Sequence, residues 1–214
     1  MSYLIIDTGG SRSFPEPHAF TQHAAAQGEL VFVLGGNVDD AFKKIKERKT
    51  AIALELGTEC LGVHTGEARG EEDSNVVGFA RFRMGDAPPS NLVELVRQPN
   101  TTPDAIAAVK AALESAGLSV AVCNDFPGRM VDRLIRPYLN AALRRLDERL
   151  ASAQDMDTTL RLGLGYPEGP IALLERTGLA AHFEVTQALY EALGDPAYAP
   201  ARRARVAWMR KIKT

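Results

Sequence analysis

A chain of 214 residues, 45% of them apolar, fits one large domain or two small ones and buries a sizeable core without cross-links. Its 27 acidic and 25 basic residues leave a formal charge of -2, which excludes the global electrostatic pull of a nucleic-acid or anionic-membrane binder. Cys60 and Cys123 stand far apart and outside any C-x-x-C pair, which argues against a disulfide framework, a redox dithiol and a structural zinc site, and points to a reducing compartment.

The N-terminus, Met-Ser-Tyr-Leu-Ile-Ile-Asp, has no basic stretch ahead of its apolar run, and no run approaches the roughly 18 residues of a membrane span. A cytoplasmic protein is expected. Tyr3-Leu4-Ile5-Ile6, closed by Asp7-Thr8-Gly9-Gly10, reads as a buried strand and a turn. In a dinucleotide-binding fold the next residues would supply G-x-G-x-x-G and open a helix. Here Gly9-Gly10 runs into Ser11-Arg12-Ser13-Phe14-Pro15-Glu16-Pro17, with two prolines in the first helical turn and no third glycine. A helix over 19–27 follows, ended by Gly28.

Residues 29–34 (ELVFVL) give a second strand, residues 39–48 a helix with acids at its start and bases at its end, and residues 51–56 (AIALEL) a third strand. Three strands with helical spacers predict a parallel βαβ arrangement. Asp39 and Asp40 sit where a ribose-binding acid would, but two acids at a helix start read first as N-terminal caps. Residues 61–75 read as a short strand and an exposed loop. Residues 76–82 and 92–96 are two further strands around the rigid turn Met84-Gly85-Asp86-Ala87-Pro88-Pro89. Thr102-Pro103-Asp104 caps a helix that runs to Ser115 and stops at Gly117, and residues 119–123 form the last strand.

The rest is helical. Val131, Leu134, Ile135, Tyr138, Leu139, Ala142 and Leu146 mark one apolar face of a helix over 127–150, with a kink expected at Pro137. Ser152 with Asp155 imitates a capping box, the glycines and prolines of 163–170 force a bend, and helices over 171–177 and 180–193 follow. Arg202, Arg203, Arg205, Arg210, Lys211 and Lys213 make a basic tail that reads as a solvated face, with contact to coenzyme A phosphates as the alternative.

Five runs, in order, resemble the 3-hydroxyacyl-CoA dehydrogenases. Gly78-Phe79-Ala80-Arg81-Phe82 is similar to that family's G-L-H-F-F strand, and Asn91-Leu92-Val93-Glu94-Leu95-Val96 to its K-L-V-E-V-V strand. Thr101-Thr102-Pro103 matches the helix start that follows. Asp125-Phe126-Pro127-Gly128-Arg129-Met130-Val131-Asp132-Arg133 resembles D-x-P-G-x-x-V-N-R, and Gly165-Tyr166-Pro167-Glu168-Gly169-Pro170 resembles G-x-G-Y-P-x-G-P.

The resemblance implies α/β followed by all-α. Residues 1–124 would form a reduced Rossmann-like parallel sheet, and residues 125–214 a helical dimerisation domain of the 6-phosphogluconate-dehydrogenase C-terminal type, as in the second half of long bacterial members. The family's chemistry passes hydride to NAD while a histidine base, oriented by an acid, takes the hydroxyl proton. Glu94 matches the orienting acid and Asp132 the motif's asparagine. The histidine position is Ala80, and Glu59 replaces the first serine of the N-T-S-S-L run. His64 is the one nearby substitute base, and a lone loop histidine reads as solvated. With no G-x-G-x-x-G, no NAD site is expected although NAD is the family cofactor, and no metal site is expected. The implied partners are a second copy through the C-terminal helices, an acyl-CoA, and a full-length dehydrogenase chain that would complete a working enzyme; neither nucleic acid nor membrane is among them. The remaining alternative is a purely structural oligomerisation module.

Overall fold

The computed structural model describes residues 2–45, 49–66 and 74–213. The chain divides into two compact units, one of Met1–Arg83 with Pro89–Arg129, the other of Met84–Pro88 with Met130–Thr214.

The first unit holds β1 (Tyr3–Asp7), α1 (Ala19–Gln22), β2 (Leu30–Leu34), α2 (Val38–Phe42), β3 (Ala51–Glu55), α3 (Gly62–Thr65), β4 (Val76–Arg81), β5 (Leu92–Arg97), α4 (Pro103–Ser115) and β6 (Ser119–Asn124). The six strands form one sheet in the order β1-β2-β3-β4-β5-β6. All neighbours are parallel except β4 and β5, which pair antiparallel with Ala80 opposite Glu94. The turn over 82–91 is too short for a crossover connection, so β5 has to return antiparallel. β2 and β3 are buried at every position, which their unbroken apolar sequence anticipates.

Alternation along the strands divides the core into two layers. One face carries Phe32, Phe79 and Leu95, covered by Phe14 and Phe20 from the β1–β2 connection and by Val109 and Leu113 of α4. The other carries Val31, Val33 and Leu54, covered by Val38 and Ala41 of α2 and by Leu61. Each new parallel strand from β1 to β4 is added on the same side of the last, yet the first connection crosses one face and the next two cross the other. The first crossover therefore has the opposite hand to the other two, a departure from the near-universal right-handed rule.

Several helices are shorter than their sequence patterns. The expected helix over 19–27 ends at Gln22, and the one over 39–48 is a single turn, Val38–Phe42, with 46–48 outside the described residues. Within 61–75 a short helix, α3, replaces the expected strand, and 67–73 lie outside the described residues.

The second unit contains α5 (Val131–Asp147), α6 (Ala153–Leu164), α7 (Pro170–Thr177), α8 (Leu179–Leu193), a 3-10 turn (Pro196–Tyr198) and α9 (Arg202–Lys211). Ser152 caps α6 as expected, its Oγ accepting from Asp155 N at 3.1 Å. The turn over 84–88 belongs to this unit, tied by Asp86 N donating to Thr177 O at 2.9 Å. Gly85 holds φ +55°, and a Cβ there would come 2.0 Å from the Thr177 carbonyl oxygen, so only glycine fits.

The buried stripe of α5 differs from the one its apolar residues mark. Asp132, Arg136, Leu139, Asn140 and Leu143 are buried, while Leu134 is 78% exposed. The reason is a polar chain through this unit. Arg136 Nε donates to Asp132 Oδ1 at 2.7 Å, and Arg136 Nη1 lies 2.9 Å from His182 Nδ1. His182 Nε2 lies 3.0 Å from Asn140 Oδ1, and Asn140 Nδ2 donates to the Ala197 and Tyr198 carbonyls. Arginine can only donate, so Nδ1 of His182 accepts and its Nε2–H donates, which gives every link a donor and an acceptor. Burial first, and Arg136 second, lower the His182 pKa to about 3, which keeps the ring neutral.

Candidate functional site

The carboxyl ends of β1, β2 and β3 meet around a cavity of about 290 Å³, lined among others by Gly10, Arg12, Gly35, Asn37, Asp39, Glu55, Gly57, Glu59 and His64. This is the edge at which open α/β sheets bind ligands, most often where the strand order reverses. The consecutive order of this sheet contains no such reversal.

Several of the backbone amides at this edge are taken by carboxylates of the chain itself. Gly9 N donates to Asp7 Oδ1 at 2.8 Å, and Gly57 N to Glu59 Oε1 at 2.8 Å. Buried Glu55 accepts from Ser13 N at 2.7 Å and Ser11 Oγ at 3.1 Å on one oxygen, and from Gly35 N at 2.7 Å on the other. Gly36 N donates to Gly9 O and Asn37 N to Thr8 Oγ1, which locks the β1 and β2 loops together. Gly35 stands at φ +101°, and a Cβ on it would meet Gly9 O at 2.3 Å. The space over that glycine is filled by a carbonyl oxygen, which repels phosphate.

His64 is a correction to the solvated-loop reading. Its side chain is 6% exposed, with Nδ1 2.6 Å from Asp39 Oδ1 and Nε2 3.5 Å from Glu59 Oε1. The second contact lies within ion-pair range but lacks hydrogen-bond geometry. Glu59 and then Asp39 raise the imidazole pKa above its ordinary value against the opposing effect of burial. Burial alone would raise Glu59; the contact with His64 and the amides of Gly57 and Glu59 outweigh it and lower the pKa to about 2. Asp39 thus serves His64, and the cap reading fails for both acids: the N-cap of α2 is Asn37, whose Nδ2 donates to Asp40 Oδ2 at 3.1 Å. A histidine three residues after Leu61, with acids at 39 and 59, gave no spacing signal; the array is made by the fold.

Glu94 is 1% exposed, and Arg129 Nε donates to its Oε2 at 3.3 Å. Arg129 follows the Pro-Gly turn with φ +51°, a left-handed conformation unusual for a branched-out cation. Across the β4–β5 pair Ala80 presents only a methyl group to this carboxylate. Asp125 of the same motif holds the loop before α3, accepting from Leu61 N at 2.7 Å and Gly62 N at 2.8 Å. Asp132, in the second unit, is engaged by Arg136 as described, so Glu94 and Asp132 each sit in a separate unit with an arginine of their own.

Within the second unit a groove of about 260 Å³ is lined by Leu143, Leu146, Ile171, Leu179 and Val206, with Arg202, Arg203, Arg210 and Glu175 among its polar residues. Arg202 Nη2 and Arg203 Nε both donate to Asp147 Oδ1, at 3.0 and 2.7 Å, which aligns α9 beside α5. The basic tail is therefore a helix whose arginines border an apolar hollow.

The family model of the 3-hydroxyacyl-CoA dehydrogenase C-terminal domain matches residues 128–211. A probable 3-hydroxybutyryl-CoA dehydrogenase of Deinococcus radiodurans is 32% identical over 117 residues, covering 55% of this chain and 42% of that protein. The 3-hydroxyadipyl-CoA dehydrogenase of Escherichia coli K12 is 28% identical over 181 residues, covering 79% of this chain and 36% of that protein. Among solved structures, the (S)-3-hydroxybutyryl-CoA dehydrogenase of Ralstonia eutropha superposes with a TM-score of 0.69 at 26% identity, over 86% of this chain and 66% of that one. The chain spans less than half the length of the curated relatives it matches. The likeness nevertheless runs through the sheet as well as the helices, and residues 128–211 carry the C-terminal domain of the 3-hydroxyacyl-CoA dehydrogenases.

Proposed function

We propose that this chain is a 3-hydroxyacyl-CoA dehydrogenase-related module of acyl-CoA metabolism that has no NAD site of its own, dimerises through its C-terminal helices and binds acyl-CoA. The observation that carries the first part is the set of engaged amides at the carboxyl edge of the sheet: Gly9, Gly35 and Gly57 already donate to Asp7, Glu55 and Glu59. A pyrophosphate would have to displace three carboxylates and approach their negative charge. The consecutive strand order supports the reading of a reduced sheet, as does the reversed hand of its first crossover. Without a base at position 80, and with Glu94 neutralised by Arg129, the residues for hydride transfer are also incomplete.

The helical unit supports the other two parts. Leu134, Leu162 and Leu164 are 78%, 81% and 63% exposed on α5 and α6, an apolar surface that a second copy would cover. The groove bordered by Arg202, Arg203 and Arg210 offers an apolar lining for an acyl chain and cations for phosphates. Calorimetry with acetoacetyl-CoA and NAD, on the purified chain, tests the reading. Saturable heat with acetoacetyl-CoA, weakened in Arg203→Glu, and none with NAD is the expected result. NADH formation from a 3-hydroxyacyl-CoA by the chain alone would overturn it, and a monodisperse monomer by light scattering would remove the dimer.

A further inference from the structure

The two edges of the sheet are finished differently. Along β1 the outer edge is closed, with Ala25 N donating to Tyr3 O at 2.8 Å. Along β6 it is open. Ser119 N donates to Asn91 O at 2.8 Å, so by alternation Ser119, Ala121 and Cys123 turn their main-chain groups to β5, while Val120, Val122 and Asn124 turn theirs outward. Among the described residues no group bonds to the outward main chain of Val120, Val122 or Asn124. The strand, SVAVCN, contains no charge, proline or bulge of the kind that shields a free edge.

The apolar surface of this unit gathers at the same edge. Its most exposed large apolar side chains, among the described residues, are Val122 at 39%, Phe126 at 53% and Val63 at 66%. Val122 projects from β6 itself, and Phe126 lies just past the strand's end. Val63 belongs to α3, whose start is tied beside Phe126 by Asp125, which accepts from Leu61 N and Gly62 N. An unpaired ladder and an apolar patch therefore coincide.

We propose that β6 pairs antiparallel with β6 of a second copy, about a two-fold axis perpendicular to the sheet at Val122. In that register the two copies of Val122 exchange both main-chain bonds, and Val120 does the same with Asn124 of the other copy, so every outward group of the strand finds a partner. Val122 packs against its counterpart, Ala121 opposes Cys123, and no charged side chain is buried in the ladder. The axis keeps both α4 helices on one face and joins two six-stranded sheets into one. It also carries the exposed Phe126 of each copy past the Ser119 end of the other strand. With no charge on the strand there is nothing to recognise an acidic or basic partner, and a self-pair that covers only uncharged groups is the occupant that fits. The pairing uses no residue of the helical unit, so it stands apart from the dimer proposed above.

Amide exchange measured by NMR on the full chain at several concentrations, together with light scattering, tests this. The amides of Val120, Val122 and Asn124 are expected to gain protection as concentration rises, while those of Ala121 and Cys123, bonded to β5, stay protected throughout. Val122→Lys, at an exposed position, sets like charges face to face on the axis; it is expected to lower the particle mass and to release the amides at 120 and 124. Val122→Glu alone is expected to do the same. An equimolar mixture of the two variants is expected to restore both mass and protection, because a residue on the two-fold meets its own counterpart. Fast exchange at 120, 122 and 124 at every concentration overturns the proposal. A Val122→Lys variant whose mass and exchange match the native chain also overturns it, and a dimer made by the helices alone gives that result. Association lost in both variants and not regained on mixing overturns it as well, since the axis would then not lie at Val122.

Discussion

An arginine at 129 and a methyl group at 80 decide what Glu94 can do. The carboxylate has the place of an orienting acid, but it faces no imidazole and its buried charge is matched by a guanidinium. Arg129→Met would remove this partner of the carboxylate, and breaking a buried pair from one side costs roughly 3 kcal/mol or more, to be read as a lower urea midpoint. His64 makes a second residue-scale prediction. Its pKa is raised in the folded chain, so its contribution to stability is present in full below the unfolded value of about 6.5 and is lost as pH rises through the folded one. Urea titrations between about pH 6 and pH 9 should show stability falling in the native protein and a flatter profile in His64→Gln. An identical slope in both would place the titration elsewhere. His182 has the opposite sign. Its pKa of about 3 means that stability drains as pH falls from the ordinary histidine range toward that value.

At the scale of elements, Pro137 shows how a helix can keep an interior proline. It has no N–H for the Arg133 carbonyl, and the hydroxyl of buried Tyr198 donates to that carbonyl at 3.0 Å. α5 accordingly continues from Val131 to Asp147. Tyr198→Phe should cost about 1–3 kcal/mol by leaving that acceptor unpaired, measured by chemical denaturation. The missing hydrogen bond was legible in the sequence; the tyrosine 65 residues away that relieves it was not. The same division holds more widely. Strands β2 and β3 are legible because each is an unbroken apolar run, and α4 and α6 because Thr102 and Ser152 cap them. The buried stripe of α5 was misread because Asp132, Arg136 and Asn140 recur at i, i+4 and i+8, a helical face as regular as the apolar one but polar. The polar face is buried because His182 on α8 completes its hydrogen bonds, a partner that spacing within one helix cannot reveal. The Asp39–His64–Glu59 array was illegible for the same reason, its members coming from α2, α3 and the loop after β3.

At the scale of the whole molecule, the family motifs and the ligand edge give different messages, and restoring residues separates them. Ala80→His/Asp132→Asn returns to the chain two of the motif residues whose chemistry differs from the family pattern, with Glu59 left in the serine position. If missing side chains alone silence the chain, this variant should acquire dehydrogenase activity. On the proposed reading it does not, because the obstacle lies in the sheet: the strand order never reverses, Gly9 O fills the space over Gly35, and the edge amides are engaged by Asp7, Glu55 and Glu59. The variant should also be less stable, since Arg136 is 1% exposed and loses the carboxylate that balances it, a change on the order of 3 kcal/mol. Ala80 is itself buried, so an imidazole there adds strain of its own. Ala80→His alone keeps the Asp132–Arg136 pair intact and guards against reading instability as inactivity. Both variants are expected to give no NADH from 3-hydroxybutyryl-CoA and no NAD heat by calorimetry, with acetoacetyl-CoA still binding to the folded single variant. Enzyme-dependent NADH from either would show that the carboxyl edge accepts a dinucleotide after all, and that Asp7, Glu55 and Glu59 yield to it.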